Sequence, residues 1–288
     1  MALRQPEHVD GRLCFLDARS SPAYYHWMLD VVPKIHLLTL AGIDLASIDQ
    51  FVVRAGEQYQ IDTLVHLGIS RDRIRSEPAG VHFTATELVV PFLKNDVGDR
   101  PYKAMGLGLG RWVPEFVRQA YLADPPRAPP GNRIFISRSH ATSRRLVNGT
   151  EVDALLRRHG FVTVDLGSMS VAEQAETMAN AAVVVGVHGG GLTNLAFCPP
   201  GTRVLELFGE YVVPCYWALA SLNRLEYHRF MADSTRSHLS EQEVPTADHR
   251  GEDLFVDVHA LDRALQVVCN PTGLGGRLAS WMRRHGRR

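Results

Sequence analysis

His26 and Asp30 stand four residues apart in Tyr24-Tyr25-His26-Trp27-Met28-Leu29-Asp30, so on a helix they share one face. A carboxylate beside an imidazole makes a general base with its orienting partner when the pair faces a cleft. The same spacing also suits two side chains that only hydrogen-bond each other within a helical turn. A second signal lies in Val183-Val184-Val185-Gly186-Val187-His188-Gly189-Gly190-Gly191-Leu192-Thr193-Asn194. Here a β-branched strand stops at three consecutive glycines, a backbone that loses much entropy on folding and lets a ligand or another chain segment approach closely. A glycine turn that opens a helix offers N–H groups and the positive end of the helix dipole to a phosphate. A tight β-α turn with nothing bound would look alike, but His188, Thr193 and Asn194 flank this one and favour a site.

Arginines gather in Ser137-Arg138-Ser139-His140-Ala141-Thr142-Ser143-Arg144-Arg145-Leu146-Val147-Asn148, where a strand ends. Arg138, Arg144 and Arg145 carry planar, permanently charged forks suited to a diphosphate. Ser137, Ser139 and Asn148 add neutral hydrogen-bonding groups, although a solvated basic loop would share this composition. Glu206 interrupts the apolar run Val204-Leu205-Glu206-Leu207-Phe208, where a carboxylate must be paired. Ribose hydroxyls would satisfy it, as acidic residues do in dinucleotide sites, and so would a neighbouring arginine. The chain has no G-x-x-x-x-G-K-[ST] loop, no G-x-S-x-G elbow and no D-x-D pair after a strand. These absences argue against a P-loop NTPase and an α/β-hydrolase. The expected chemistry uses no metal and no bound cofactor.

Alternating strands and helices must position these groups. Strands are expected at residues 13–16, 51–54 and 87–90, with helices at 24–40, 58–67 and 109–121. Further on, strands at 133–137, 161–165, 183–187, 203–208, 226–231 and 254–258 alternate with helices at 150–159, 171–181, 192–197, 216–222 and 260–268. Such alternation gives an α/β protein of parallel β-α-β units with right-handed crossovers. Four prolines make 124–132 a semi-rigid linker. It divides an N-terminal lobe, 1–123, from a C-terminal lobe, 133–270, which is followed by a basic tail, 271–288. The polar stretch 234–251 is expected to be a loop. A ligand cleft is expected between the lobes, outside the carboxyl ends of the strands.

The chain has 288 residues, 45% hydrophobic and 22% charged, with a formal net charge of zero, which provides no global basic field for nucleic acid. Four cysteines without a C-x-x-C pair fit reduced thiols rather than zinc. No apolar run reaches the roughly 18 residues of a membrane span, and no signal peptide opens the chain. A cytoplasmic protein is therefore expected. Arg283, Arg284, Arg287 and Arg288, beside Trp281 and Met282, suit either peripheral contact with an anionic membrane or a solvated tail.

Together, the Tyr25-His26-Trp27 to Asp30 helix, Ser137-Arg138 with Arg144-Arg145 and Asn148, the turn from His188 to Asn194, and Pro199-Pro200-Gly201-Thr202 leading to Glu206 resemble glycosyltransferase family 61. The resemblance implies a GT-B-like fold of two Rossmann-like lobes with parallel sheets and an interlobe cleft. It implies a hexosyl- or pentosyltransferase that inverts the anomeric carbon without a metal and takes a nucleoside-diphosphate sugar, with uridine the expected base. A hydroxyl acceptor, in surface-glycan or polysaccharide synthesis, completes the expectation. Asp30 would be the general base, oriented by His26. Arg138, Arg144, Arg145, His188, the amides of Gly189, Gly190 and Gly191, and Thr193 and Asn194 would bind the donor diphosphate. Glu206, with Ser137 and Asn148, would hold the ribose and nucleoside. Two other readings compete: a non-catalytic nucleotide-binding α/β protein, and a nucleotide-sugar epimerase or hydrolase of the same fold.

Overall fold

A computed structural model describes residues 5–18, 21–77, 81–93, 108–122, 131–234 and 251–270. The chain divides into two compact units, one of Met1–Ala123 with Ser170–Glu173, the other of Asp124–Met169 with Gln174–Arg288. Residues 124–130 of the expected linker, most of the expected loop at 234–251 and the basic tail lie outside the described residues.

The first unit is built on a four-stranded sheet in the order β3-β2-β1-β4. Its strands are β1 (Glu7–Phe15), β2 (Gln50–Val53), β3 (Ile74–Ser76) and β4 (Phe83–Val89). Every pair is parallel. β3 is too short to give a periodic signal and was not expected from the sequence. The crossover from β1 to β2 carries the Tyr-His-Trp segment, and it is not one regular helix. Helix α1 (Tyr24–His26) runs into a π-helical turn at Trp27–Val31, then into α2 (Pro33–Leu40). The Val32 N–H reaches back five residues to the Trp27 carbonyl at 3.0 Å. Trp27, Met28, Leu29 and Val31 are all buried, so one residue is inserted into the helical repeat and almost every side chain of the turn enters the core. Asp30 alone in this turn stays accessible. Single π turns of this kind often occur at functional sites. Helices α3 (Gln58–His66) and α4 (Trp112–Tyr121) complete the unit.

The second unit holds a five-stranded parallel sheet in the order β6-β5-β7-β8-β9. These are β5 (Asn132–Ile136), β6 (Phe161–Val164), β7 (Ala181–Val187), β8 (Arg203–Phe208) and β9 (Glu226–Met231). Central β7 and β8 read as near-continuous apolar runs because a parallel sheet is covered on both faces. Each fully buried Val or Leu there contributes about 1.5–3 kcal/mol of transfer free energy. Helices α5 (Gly149–Arg158) and α8 (Val258–Cys269) bury Leu155, Leu156, Leu261 and Leu265 against Phe135, Val185 and Leu205. Helices α6 (Val171–Ala179) and α7 (Cys215–Leu222) provide further crossovers. Strands β10 (Asp233–Ser234) and β11 (Leu254–Phe255) form a small antiparallel pair, so the strand expected at 254–258 is cut short by the start of α8. Among the described residues no helix is long and apolar enough to cross a membrane.

The strand order has a direct consequence for the site. Counted within the second unit, the order is 2-1-3-4-5, and the chain reverses direction of winding between β5 and β7. In open α/β sheets ligands bind outside the carboxyl ends of the strands at such a switch point.

Candidate functional site

The pairing of Ile136 with Gly186 brings Arg138 and His188, each two residues further on, to the same end of β5 and β7. The approach is close. A Cβ built on Gly189 would lie 1.9 Å from the Arg138 Nη1, which explains why this position has no side chain. The Arg138 guanidinium donates from Nη2 to the Ser143 carbonyl at 2.8 Å, while its Nε is buried with no acceptor within reach. Burial, and then the neighbouring Arg144 charge, pull the Arg138 pKa below its ordinary value. Arg144 also has a buried Nε without an acceptor, and its φ of 53° is in the left-handed region that non-glycine residues rarely occupy. Strain of about 1–3 kcal/mol at such a residue persists only where its surroundings hold it. Two buried Nε–H groups without acceptors beside a glycine turn could hold a multivalent anion.

The turn continues as a 3-10 helix at Gly190–Phe197, where a helix is expected at 192–197. Its first internal bond runs from the Leu192 N–H to the Gly189 carbonyl at 3.0 Å, so the amides of Gly190 and Gly191 precede the ladder. Thr193 and Asn194 do not belong with the diphosphate ligands. Their relative exposures are 2% and 1%, and Asn194 donates to the Gln174 side chain at 2.8 Å and to the Gly191 carbonyl at 3.1 Å. Both side chains enter the core, where Asn194 braces the turn and the Thr193 hydroxyl has no hydrogen-bond partner among the described residues.

Glu206 is also placed differently from the ribose role expected of it. It is 0% exposed, and its two oxygens accept from His188 Nδ1 at 2.5 Å and from the Tyr227 hydroxyl at 2.5 Å. No ribose can reach it. Its partners fix the His188 ring, which stacks on Phe208 at 5.1 Å and is flanked by Tyr211 and Tyr216. Because a carboxylate only accepts, Nδ1 carries the proton and Nε2 is left without one. Tyr227 was missed by sequence reasoning, although its position on β9, diagonal to Glu206 across the pairing, is the available signal.

Arg145 and Asn148 form a latch onto a distant segment. Arg145 gives Nη2 to Asp253 at 2.7 Å and Nε at 3.0 Å, and its backbone N–H bonds the other oxygen at 2.8 Å. The Asn148 amide donates to the Val256 carbonyl at 2.8 Å and accepts from its N–H at 3.1 Å. With Leu254 bonded to Arg145 and Val147 to Leu254, residues 144–148 are zipped onto 251–256. This holds Arg144 in its strained conformation. Burial would raise the Asp253 pKa, but the hydrogen bonds and charge of Arg145, aided by Arg138, outweigh it and hold the carboxyl below its usual range. A depressed folded-state pKa stabilises the fold above the unfolded value, near 3.9, and that contribution is lost as pH falls through the folded value. Asp253→Asn is therefore expected to destabilise by no more than about 1 kcal/mol at neutral pH, because Arg145 is largely exposed. It should also flatten the acid limb of stability, as urea melts between pH 2 and 7 would record.

Ser137, Arg138, Ser139 and Arg145 line one wall of a cavity of about 530 Å³, and Gly149 and Thr150 at the start of α5 line another. Phe135, Leu146 and Val187 supply its apolar surface. The volume falls within the roughly 300–1,000 Å³ of small-molecule sites.

In the first unit His26 Nδ1 lies 2.6 Å from Asp30 Oδ2, with side chains 33% and 29% exposed. The ends of β1 and β2 contribute charged residues that sequence reasoning missed. Asp17 follows β1 and pairs with Arg54, which follows β2, at 3.3 Å. Arg54 also donates to the Ala18 carbonyl at 2.8 Å, and Ser21 to Asp17. Buried Lys34 donates to the Asp17 carbonyl. Desolvation lowers the Lys34 pKa, and the charges of Asp17 and then Asp30 oppose that shift. The available signals are the position of Asp17 and Arg54 just past strand ends, and the continued spacing of four from His26 through Asp30 to Lys34.

Residues 24–205, more than half of the chain, match the family model described as Glycosyltransferase 61. The chain belongs to glycosyltransferase family 61. Among its relatives is the beta-1,2-xylosyltransferase of Arabidopsis thaliana, 32% identical over 134 residues that make up 42% of this chain and 23% of that protein. Another is protein O-linked-mannose beta-1,4-N-acetylglucosaminyltransferase 2 of Canis lupus familiaris, 28% identical over 38% of this chain and 21% of that protein. The matched part thus spans less than a quarter of either relative. A solved heptosyltransferase, TibC, overlaps 99% of this chain and 80% of its own at 14% identity, but its TM-score of 0.37 carries no argument. The family match begins at Tyr24 and ends at Leu205, so it includes His26, Asp30, the arginine segment and the glycine turn of this family 61 chain.

Proposed function

We propose that this family 61 chain is an inverting, metal-independent glycosyltransferase on the two-lobed GT-B plan. It moves a sugar from a nucleoside-diphosphate donor, with uridine as the base, to a hydroxyl acceptor. Surface-glycan or polysaccharide assembly in the cytoplasm is part of the same reading. The observation that carries it is the Arg138 guanidinium seated on Gly189 at the β5/β7 switch point, with Arg144 beside it. Neutralising the departing diphosphate is the main electrostatic task of sugar transfer, and preorganised cations can perform it in place of a metal. The amides at the glycine turn add donors, and Glu206 fixes the His188 ring that precedes them. The His26–Asp30 pair supplies the other requirement, a group that takes the acceptor proton. Both relatives are named for β linkages, and an α-linked nucleotide sugar gives a β product only by inversion.

The test is UDP release from UDP-xylose and UDP-N-acetylglucosamine in EDTA, with and without glycan acceptors. Release that depends on acceptor, persists in EDTA and is lost in Arg138→Ala is expected. Equal donor consumption without acceptor would favour a hydrolase. UDP binding with no turnover would favour a non-catalytic nucleotide-binding protein.

A further inference from the structure

The transferase reading requires a base, and the sequence favours Asp30 in that role. The geometry points to the other member of the pair: we infer that the proton acceptor is Nε2 of His26, and that Asp30 and Lys34 are positioning residues behind it. This inference rests on the transferase reading and assigns one step within it.

Three observations support it. First, Asp30 Oδ2 is engaged at 2.6 Å with His26 Nδ1. An ionised carboxylate only accepts, so Nδ1 holds the proton and the lone pair of the neutral ring is at Nε2. Second, the ammonium of Lys34, one helical turn beyond Asp30 and buried, interacts favourably with the Asp30 charge. A cation held there favours the carboxylate form that the imidazole needs as its partner. Third, the π turn buries Trp27, Met28, Leu29 and Val31 and leaves Asp30 accessible next to His26. The core contacts of that turn lock the backbone that carries the pair.

The chemistry follows the usual logic of a carboxylate–imidazole dyad. The acceptor O–H bond breaks, its proton goes to His26 Nε2, and the oxygen electron pair forms the new bond to the anomeric carbon. The bond from that carbon to the diphosphate oxygen breaks, and its electrons leave with the nucleoside diphosphate. The imidazolium is stabilised by the Asp30 carboxylate. The charged groups gathered at this end of the sheet are Asp17, Arg54, Lys34 and Asp30, and the Tyr25 ring meets the imidazole edge-on at 5.3 Å.

Two measurements on the full chain test the assignment. Nitrogen-15 NMR, with the His26 signals assigned by their loss in His26→Asn, reports the tautomer directly. Protonated Nδ1 and bare Nε2 in the neutral ring are expected; the opposite tautomer overturns the inference. UDP release from UDP-xylose and UDP-N-acetylglucosamine across pH, alongside UDP titrations, gives the second readout. His26→Asn should lower kcat by at least about 100-fold and leave UDP affinity unchanged. Asp30→Asn should keep an acid limb, displaced to lower pH because the imidazolium has lost its carboxylate. A His26→Asn variant that keeps its acid limb and more than a tenth of kcat overturns this assignment alone. Absence of turnover in the wild-type chain with any acceptor would overturn the transferase reading and the base with it.

Discussion

Replacing Gly189 by alanine is expected to weaken UDP binding as severely as removing the Arg138 side chain, without unfolding the protein. The new Cβ would be placed 1.9 Å from Arg138 Nη1 and 3.0 Å from Cζ, so the guanidinium must leave. It is the far end of a flexible side chain, so the fold accommodates the change and stability should move by less than about 1 kcal/mol. The anion site does not tolerate it. Loss of one partner from a desolvated charge pair costs about 2–5 kcal/mol, or at least about 30-fold in UDP affinity, for Gly189→Ala and Arg138→Ala alike. The double variant should be no worse than Arg138→Ala, because both changes remove the same contact. Calorimetric titration of UDP into the three variants checks this. Additive losses would mean that Gly189 acts through its own backbone and not by making room for the arginine.

The largest stability effect is expected at Glu206. Its two oxygens hold His188 Nδ1 and the Tyr227 hydroxyl at zero exposure, so Glu206→Ala leaves two donors without an acceptor in the sheet. Breaking a buried charged network from one side destabilises by about 3–5 kcal/mol. Tyr227→Phe removes one neutral donor and should cost about 1 kcal/mol. Burial, followed by the Glu206 charge and hydrogen bond, pushes the Tyr227 phenol well above its ordinary value. A raised folded-state pKa stabilises the fold fully below the unfolded value, near 10, and that contribution is lost as pH rises beyond it. Wild type should therefore lose stability above about pH 10 more steeply than Tyr227→Phe. Urea denaturation at pH 7 and pH 11 measures both effects. Glu206→Ala within 1 kcal/mol of wild type would contradict the network.

The α/β architecture was legible because strongly periodic elements carry it. The apolar runs of β7 and β8 and the amphipathic α5 and α8 are readable to within two residues. Local motifs were harder. The segment from Tyr24 to Leu40 has good helical composition, and only the packing of four of the five side chains at Trp27–Val31 reveals the π turn. Arg138 and Gly189 were both legible as candidates, but their contact follows from strand order, which no local pattern encodes. The types of Arg145 and Asn148 suggest ligand contacts and do not reveal that both also latch a segment more than a hundred residues further along the chain. Glu206 is legible as needing a partner, whereas Asn194 reads as a diphosphate donor and is instead bonded within the core. Their partners, Tyr227 and Gln174, come from elements that pattern reading cannot pair.

The most direct test of the transferase reading is the anomeric configuration of the product. Proton NMR would follow a panel of α-linked UDP-sugars with glycan acceptors in EDTA. The account predicts a new β-anomeric signal that grows as the donor signal falls, with no such signal from Arg138→Ala. An α-linked product, or donor lost without any new glycosidic signal, would contradict it.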